Sequence, residues 1–420
     1  MTEWRNWSGN VVTRPETIVR PRDEAELATI IRTASQVRVT GAGHSFMPLC
    51  ETTGTLVSLD DMAGDMVVAS DRQSVDAPAG WSLKRLTGAL WAQGLSLPNQ
   101  GDVNSQTLGG ALATGTHGTG KDLPSLSALV QSSRLVIADG SIVDCDATTE
   151  PRLFEAQRLS LGLLGIATRV RIAVVPALHL EERVEQRPLD EVLERLPELA
   201  AATRHMEFFL FPYASSVTLK TLDPTEAVKL TAQEGDDRVF QACCDLAAAA
   251  SRSVPMLQRS LARVTRPSRR AGPAWQIFPS ERTVRFEEME YEMPVANAIA
   301  ALREALALVR SRRMPLIFPF EFRMVAADNI WLSPFHAGPC ASISVHQYAS
   351  MEWSAHFTAL EAVFRGHGGR PHWAKRHTLT SADVSALYPM AQAFGRERKR
   401  ADPEGKFLND HLRRLFDFSL

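Results

Sequence analysis

"VRVTGAGHSFMPLC", residues 37–50, decides how the rest of the chain is read. A β-prone apolar run enters a Gly-Ala-Gly turn, and His44 follows at once. Strand followed by glycine turn suggests a dinucleotide fingerprint, but the third glycine of G-x-G-x-x-G is missing, and Pro48 interrupts the helix that would open there. The Walker A pattern fails as well, lacking its Gly-Lys-Ser/Thr ending. What survives is a tight turn whose exposed amides could cradle an anion such as a pyrophosphate. On these residues alone, a plain structural turn stays equally open.

The surroundings narrow the choice. The 420 residues are too many for one ordinary core, so two domains are expected. Apolar content of 45% with 22% charged residues is that of a soluble globular protein. Basic residues number 46 against 48 acidic, a net charge of −2, which gives no electrostatic case for nucleic acid or an anionic membrane. The local basic stretch "RSLARVTRPSRRAG" (259–272) reads as a solvated loop. Five cysteines, odd in number and without CxxC spacing, fit neither a disulfide framework nor a zinc site and suit a reducing cytosol. The N-terminus has no basic-then-apolar signal pattern, and no apolar run reaches the ~18 residues of a membrane span, so a cytoplasmic protein is expected.

Along the chain, residues 21–35 read as an amphipathic helix capped by Asp23, and 37–40 as a strand. Short strands are expected at 55–59, 66–70 and 74–80, then a helix over 82–94 with Gly94 at its C-terminus. "SLPNQGDVNSQTLGGALATGTHGTG" (96–120) holds six glycines among hydroxyl and amide residues, and reads as loop and short turns with free backbone N–H groups. A hairpin turns at Asp139-Gly140, and 171–184 is strand-like, broken by Pro176. Residues 185–275 mix helices with loops. Strands follow at 284–294, 315–325 and 340–350, with helices between the first two and over 356–369. Strands and helices without strict βαβ alternation indicate an α+β fold.

Two amide-rich turns in one region, each carrying a histidine (His44 and His117), suit a large phosphate-bearing cofactor, although His117 alone reads as readily as a structural histidine. With that in place a resemblance becomes specific. "TGAGHSF", "NQGDVNSQTLGGALATGTHGTG", "SLGLLGIAT", "FPFEFRMVAADNIWLSP", "ISVHQY", "GGRPHWAKRH" and "DPEGKFLND" occur in this order. Together they resemble the aldonolactone oxidases and dehydrogenases (L-gulono- and D-arabinono-1,4-lactone) and the related alditol oxidases, across residues 4 to 415.

The resemblance implies an α+β, two-domain vanillyl-alcohol-oxidase (PCMH-type) FAD-binding fold with a substrate cap. Residues 1–176 would bind FAD, 177–375 would form the cap, and 376–420 would return to the FAD domain. His44 matches the family position that bonds covalently to FAD. Gly41, Ala42, Gly43, Ser45 and Phe46 would surround the pyrophosphate. Ser105, Gly110, Ala113, Thr114, Gly115, His117 and Gly118 fall in the second FAD-binding segment, and Ile166 would touch the flavin.

For the chemistry, a hydride must leave carbon for flavin N5 and a proton must leave the hydroxyl. Glu321 and Arg323 stand two apart on one strand and so share a face; on the residues alone a plain ion pair is the favoured reading. By resemblance, Glu321 would bind substrate hydroxyls and Arg323 would stabilise the reduced flavin's charge. Lys375, between His372 and His377, would be a cation near the reacting hydroxyl, in a stretch whose spacing fits no standard zinc site. His346 would hydrogen-bond a lactone or act as base, where alditol oxidases carry threonine; Glu288 would be a polar substrate contact. The substrate would be a sugar lactone, with a polyol as the alternative, and oxygen or another acceptor would take the electrons.

Overall fold

The computed structural model describes residues 3–227, 237–264, 266–280, 282–336 and 338–416. Helix Glu24–Thr33 begins where the Asp23 side chain accepts from Glu26 N–H, and it buries Leu27, Ala28 and Ile31. Strand Val37–Thr40 pairs in parallel with Thr55–Ser58, which pairs in parallel with Thr17–Val19. Arg38, 2% exposed, donates from that strand to the carbonyls of Leu49, Leu161, Gly162 and Phe407. One guanidinium thereby fixes the strand leading into the glycine turn to segments far apart in sequence.

Beside this lies a five-stranded antiparallel sheet, in the order Ile142–Asp146, Val130–Val136, Ile166–Ala173, Ser74–Pro78, Val67–Val68. Its hairpin turns at Asp139-Gly140 as the dipeptide dictates, with Gly140 at φ +83°. The 96–120 stretch departs from expectation, for it contains a helix, Leu108–Thr114. Thr107 caps that helix, and Leu108, Ala111 and Leu112 bury one face at helical spacing. The neighbouring glycines had hidden the period.

The largest element is an eight-stranded sheet. Its order is Ser268–Pro273, His179–Pro188, Ser216–Pro224, His205–Leu210, Phe320–Val325, Cys340–Tyr348, Phe286–Pro294, Arg370–Pro371. The strands at 205–210, 216–224 and 268–273 were not foreseen. The basic 259–272 stretch is not a loop: helix Val254–Val264 covers its first half and a strand its end. Arg270 there pairs with Glu182 on the neighbouring strand, a cross-strand partner the local charge pattern does not reveal. The 315–325 strand starts at Phe320, because Pro315 and Pro319 have no N–H to give a ladder.

Period-2 alternation gives the central four strands two unlike faces. Phe208, Phe322, Ile343, Met289 and Tyr291 pack in one apolar core with helices Val295–Arg312 and Ser354–Gly366. Glu207, Glu321, Arg323, Ser342, Ser344, His346, Glu288, Glu290 and Glu292 alternate with them and are also buried. Residues 101–117 lie against that polar side.

The chain leaves the large sheet at Arg370–Pro371, and Trp373 already packs in the N-terminal core with Phe394, Leu412 and Phe416. Ile330, Trp331 and Leu332 join the same core, so the 177–375 segment does not pack as one separate body. Lys406 Nζ donates to the carbonyls of Ile31 and Ala138, which closes the return. Among the described residues no helix is long and apolar enough to cross a membrane, and all five cysteines are unpaired.

His377 sits in this returning segment with Leu379 N–H donating to its Nδ1, an arrangement that needs a neutral ring. Burial lowers its pKa to about 3, against ~6.5 in an unfolded chain. The unfolded state therefore binds the extra proton first, and stability is lost as pH falls below ~6.5. Thermal midpoints should drop between pH 7 and 5. In His377→Gln, which cannot protonate, that pH-dependent loss should be smaller by about 2 kcal/mol at pH 5, as measured by calorimetry across pH.

Candidate active site

The glycine turn forms one wall of a cleft of about 950 Å³ that opens to solvent. Gly41, Ala42, Gly43, His44 and Ser45 line it from one side, and Gly109, Gly110, Ala113 and Thr114 from the other. The walls come close. A Cβ on Gly41 would stand 2.2 Å from Thr107 Oγ1, and one on Gly110 would stand 2.9 Å from the same atom. Gly43 holds φ +68°, and its carbonyl accepts from Trp7 N–H. The floor is apolar, with Val39, Leu49, Leu59, Leu161 and Ile166.

His44 stands at the end of the turn. Its Nε2 lies 2.8 Å from Ser105 Oγ, and its ring stacks on Trp7 with centroids 5.3 Å apart. Burial, reinforced by the nearby Lys375 ammonium, pushes its pKa down to about 4, so the imidazole is neutral at pH 7. Together with Gln106, His44 lines both this cleft and a second cavity of about 750 Å³.

The second cavity is walled by the polar face of the large sheet. Backbone register sets its side chains in rows across the strands: Glu288 opposite His346, Ser344 between Glu290 and Glu321, and Ser342 between Glu292 and Arg323. Glu207 follows Arg323 on the next strand, and Lys220 follows Glu207. Glu290 Oε1 is the hub. It accepts from Arg323 Nη2 at 2.8 Å, Ser342 Oγ at 2.6 Å and His117 Nε2 at 2.9 Å. Lys375 donates to Glu288, and His346 Nε2 lies 3.4 Å from the other oxygen of that carboxylate. Since Pro319 O can only accept, His346 Nδ1, 3.3 Å away, carries a proton and Nε2 faces Glu288.

Charges here are fixed by their neighbours. Burial opposes ionisation of Glu290, but Arg323 and His117 outweigh it and hold the carboxyl well below its usual range. Burial likewise opposes the charge of His117, yet Glu290 and Glu292 lift its pKa to about 9. Glu288, buried beside Lys375 and His346, is held to about 2. Glu292 is pushed up by burial, and neither of its oxygens has a hydrogen-bond partner.

Glu288, Glu321, Arg323, His346 and Lys375, scattered over some ninety positions of sequence, line this one cavity. Phe46 and His117 line it too, rather than the glycine cleft. Ser105 reaches the junction only through its contact with His44. Gly115 is the helix C-cap, at φ +79°. At Gly118 a Cβ would stand 2.2 Å from Gln100 O, so its glycine serves the packing of two loops. Sequence reasoning missed Glu290, Glu292, Asp102, Arg282, Gln106 and Trp7. A signal existed for the first two: Glu288-x-Glu290-x-Glu292 alternates with Met289 and Tyr291, which is a strand with one charged face.

An open cleft with glycine on both walls and an apolar floor fits a flat ring system carried on a dinucleotide. Joined to a cavity of paired acids and bases, it has the layout of a cofactor site opening on a substrate site, and with the family models below the class is that of the FAD-dependent oxidoreductases. Comparison with known proteins agrees: a family model described as FAD binding domain matches residues 15–146, and one described as D-arabinono-1,4-lactone oxidase matches 170–415. The chain belongs to the D-arabinono-1,4-lactone oxidase family. It is 36% identical to an L-gulono-1,4-lactone dehydrogenase of Mycobacterium tuberculosis, with 98% of each chain covered. It is 30% identical to an L-gulonolactone oxidase of Scyliorhinus torazame (99% and 98% covered) and 30% identical to an alditol oxidase of a Streptomyces species (98% of each). A crystal structure of cholesterol oxidase from B. sterolicum shares the fold at TM-score 0.88 and 15% identity, covering 99% of this chain and 96% of that one.

Gly41→Ala tests the cleft. The new methyl must displace Thr107, the cap of helix Leu108–Thr114, which costs about 1 kcal/mol in the apoprotein and weakens FAD binding at least about tenfold. Thermal unfolding without added flavin and flavin titration measure the two effects separately.

Proposed function

We propose that the protein oxidises the C2 hydroxyl of an aldono-1,4-lactone of the L-gulono or D-arabinono type. The reading rests on the meeting of two cavities at His44, one walled by glycine and one lined by Glu288, Glu321, Arg323, His346 and Lys375. Residues 1–176 and the C-terminal segment hold FAD, and the polar face of the large sheet holds the lactone. Bound there, FAD supplies the two-electron acceptor to which the hydride from the substrate carbon passes.

The chain's own residues do the rest. Glu321, whose Oε1 accepts no hydrogen bond, receives one from a substrate hydroxyl. Arg323, locked on Glu290, keeps a positive charge facing the cavity as negative charge develops. His346 takes the hydroxyl proton at Nε2, where Glu288 stabilises the charge it gains, and Lys375 stabilises the alkoxide character of the oxygen losing that proton. The 2-keto lactone released then enolises to an ascorbate-type product.

His44 is the residue that would hold FAD covalently. Its neutral ring, stacked on Trp7 and held at Nε2 by Ser105, leaves Nδ1 without a hydrogen-bond partner among the described residues and free to act as nucleophile. In wild type, acid-precipitated protein should stay yellow and fluoresce under ultraviolet light. His44→Ala should release all flavin into the supernatant; flavin retained in that pellet would overturn the assignment.

Purified holoenzyme assayed on a panel of sugar lactones and polyols, with oxygen, a redox dye and a cytochrome as acceptors, tests the reaction. Lactones should be turned over at least about tenfold more efficiently than xylitol or sorbitol. Turnover confined to polyols would make the protein an alditol oxidase, and peroxide yield against dye reduction identifies the acceptor.

A further inference from the structure

We infer that Asp102 and Arg282 form a second subsite in the same cavity, which binds a vicinal diol remote from the reacting carbon. It thereby selects lactones carrying an exocyclic diol over those carrying a single exocyclic hydroxyl. The inference rests on the substrate reading of the cavity given above.

Asp102 lies in "NQGDVNSQ", between the two glycine-rich stretches that line the cofactor cleft. Its loop is tied to another: Ser280 N–H donates to Asp102 O at 3.1 Å, and Arg282 Nη2 donates to Asp102 Oδ2 at 2.8 Å. Asp102 and Arg282 both line the cavity. Oδ1 of Asp102 accepts no hydrogen bond from the described residues. One carboxylate oxygen each from Asp102, Glu207 and Glu321 lie within 4.8 Å of one another. Glu207 is already engaged by Lys220 at 2.8 Å. Glu321 faces the Arg323 guanidinium at 3.4 Å, yet among the described residues its Oε1 accepts no hydrogen bond, although the residue is only 4% exposed.

Asp102 and Glu321 thus both line the cavity with carboxylates that approach each other within 4.8 Å, and each keeps an oxygen that accepts nothing from the described residues. Three acids at this spacing would also suit a metal ion. Lys220, Arg282 and Arg323, however, already bring three positive charges to those three carboxylates, and a cation would be repelled. What the pair lacks is hydrogen-bond donors, not charge. A hydroxyl has one proton to give and can satisfy only one carboxylate, so two open acceptors call for two hydroxyls close together. A vicinal diol supplies them, and the two guanidinium groups can donate back to its lone pairs. Glu207, beside this cluster, stands three strands across the sheet from Glu288, the partner of Lys375. The diol is thus held to one side of His346, the proposed proton acceptor, which stands one strand beyond Glu321, as an exocyclic side chain on C4 of a lactone oxidised at C2 would be.

The holoenzyme is assayed on a hexono-1,4-lactone with its exocyclic diol, on the 6-deoxy analogue and on a pentono-1,4-lactone. Asp102→Asn and Arg282→Gln are assayed alongside, with bound flavin measured in each. Wild type should lose about 10- to 100-fold in kcat/KM on removal of the distal hydroxyl, most of it in KM. Asp102→Asn should compress that ratio to a few-fold. A wild type indifferent to the 6-hydroxyl overturns the inference, and needs no variant to fold. So does Asp102→Asn if it slows all three lactones equally, as a purely structural role would. A wild type that turns over no lactone overturns the proposed function, and this inference falls with it; failure of the subsite alone leaves lactone turnover intact.

Discussion

Three donors from three segments meet on one oxygen of Glu290, and the architecture depends on that convergence. Arg323 comes from the Phe320–Val325 strand, Ser342 from its neighbour, and His117 from the glycine-rich stretch below the sheet. Lys375 adds a longer contact at 3.9 Å. A buried carboxylate without such partners would cost several kcal/mol: losing Arg323 or His117 leaves charge uncompensated, and losing Ser342 leaves an acceptor short of a donor. The same requirement fixes how the two parts of the chain face each other. The acids on the sheet cannot remain buried unless residues 101–117 supply His117 and close the cavity.

Why the sheet should bury charge at all follows from its two faces. One is held by ordinary packing, with the rings of Phe208 and Phe322 stacked 4.7 Å apart under two helices. That apolar contact sets the strand register, and register then decides which charged residues stand side by side. A slip of one residue would send Glu290 into the apolar core and Tyr291 into the cavity. The geometry of the polar cavity is in this way inherited from packing on the opposite face.

This division also explains what could be read before the structure. Local signals survived: the Asp23 cap, the Asp139-Gly140 hairpin, the Glu321–Arg323 pair on one face, and the glycine turn before His44. Signals that depend on pairing between distant strands did not. Arg270 looked like part of a solvated basic run because its partner, Glu182, lies 88 residues away. The helix at Leu108–Thr114 was concealed by glycines that the cleft needs for close approach of its walls. Asp102 and Arg282 carry no motif of their own, for they become a pair only when two loops meet.

The two histidines that follow the glycine turns show the same physics acting in opposite senses. His44 is buried beside an ammonium and an aromatic ring, and is held neutral at about 4. His117 is buried more deeply, which alone would lower its pKa further, yet two carboxylates raise it to about 9. Burial sets the charge of the first, with Lys375 reinforcing it, and is overridden by partner carboxylates in the second. A neutral imidazole at the junction keeps a lone pair for bonding to a cofactor, whereas a charged one there would repel Lys375 and cost the cavity its cation. A charged imidazole under Glu290 helps keep Arg323 in place. Exchanging the two environments would leave the first histidine unable to act as a nucleophile and the second unable to balance the acids above it. The glycine turn thus sets a histidine where burial, with the Lys375 ammonium beside it, holds the ring unprotonated.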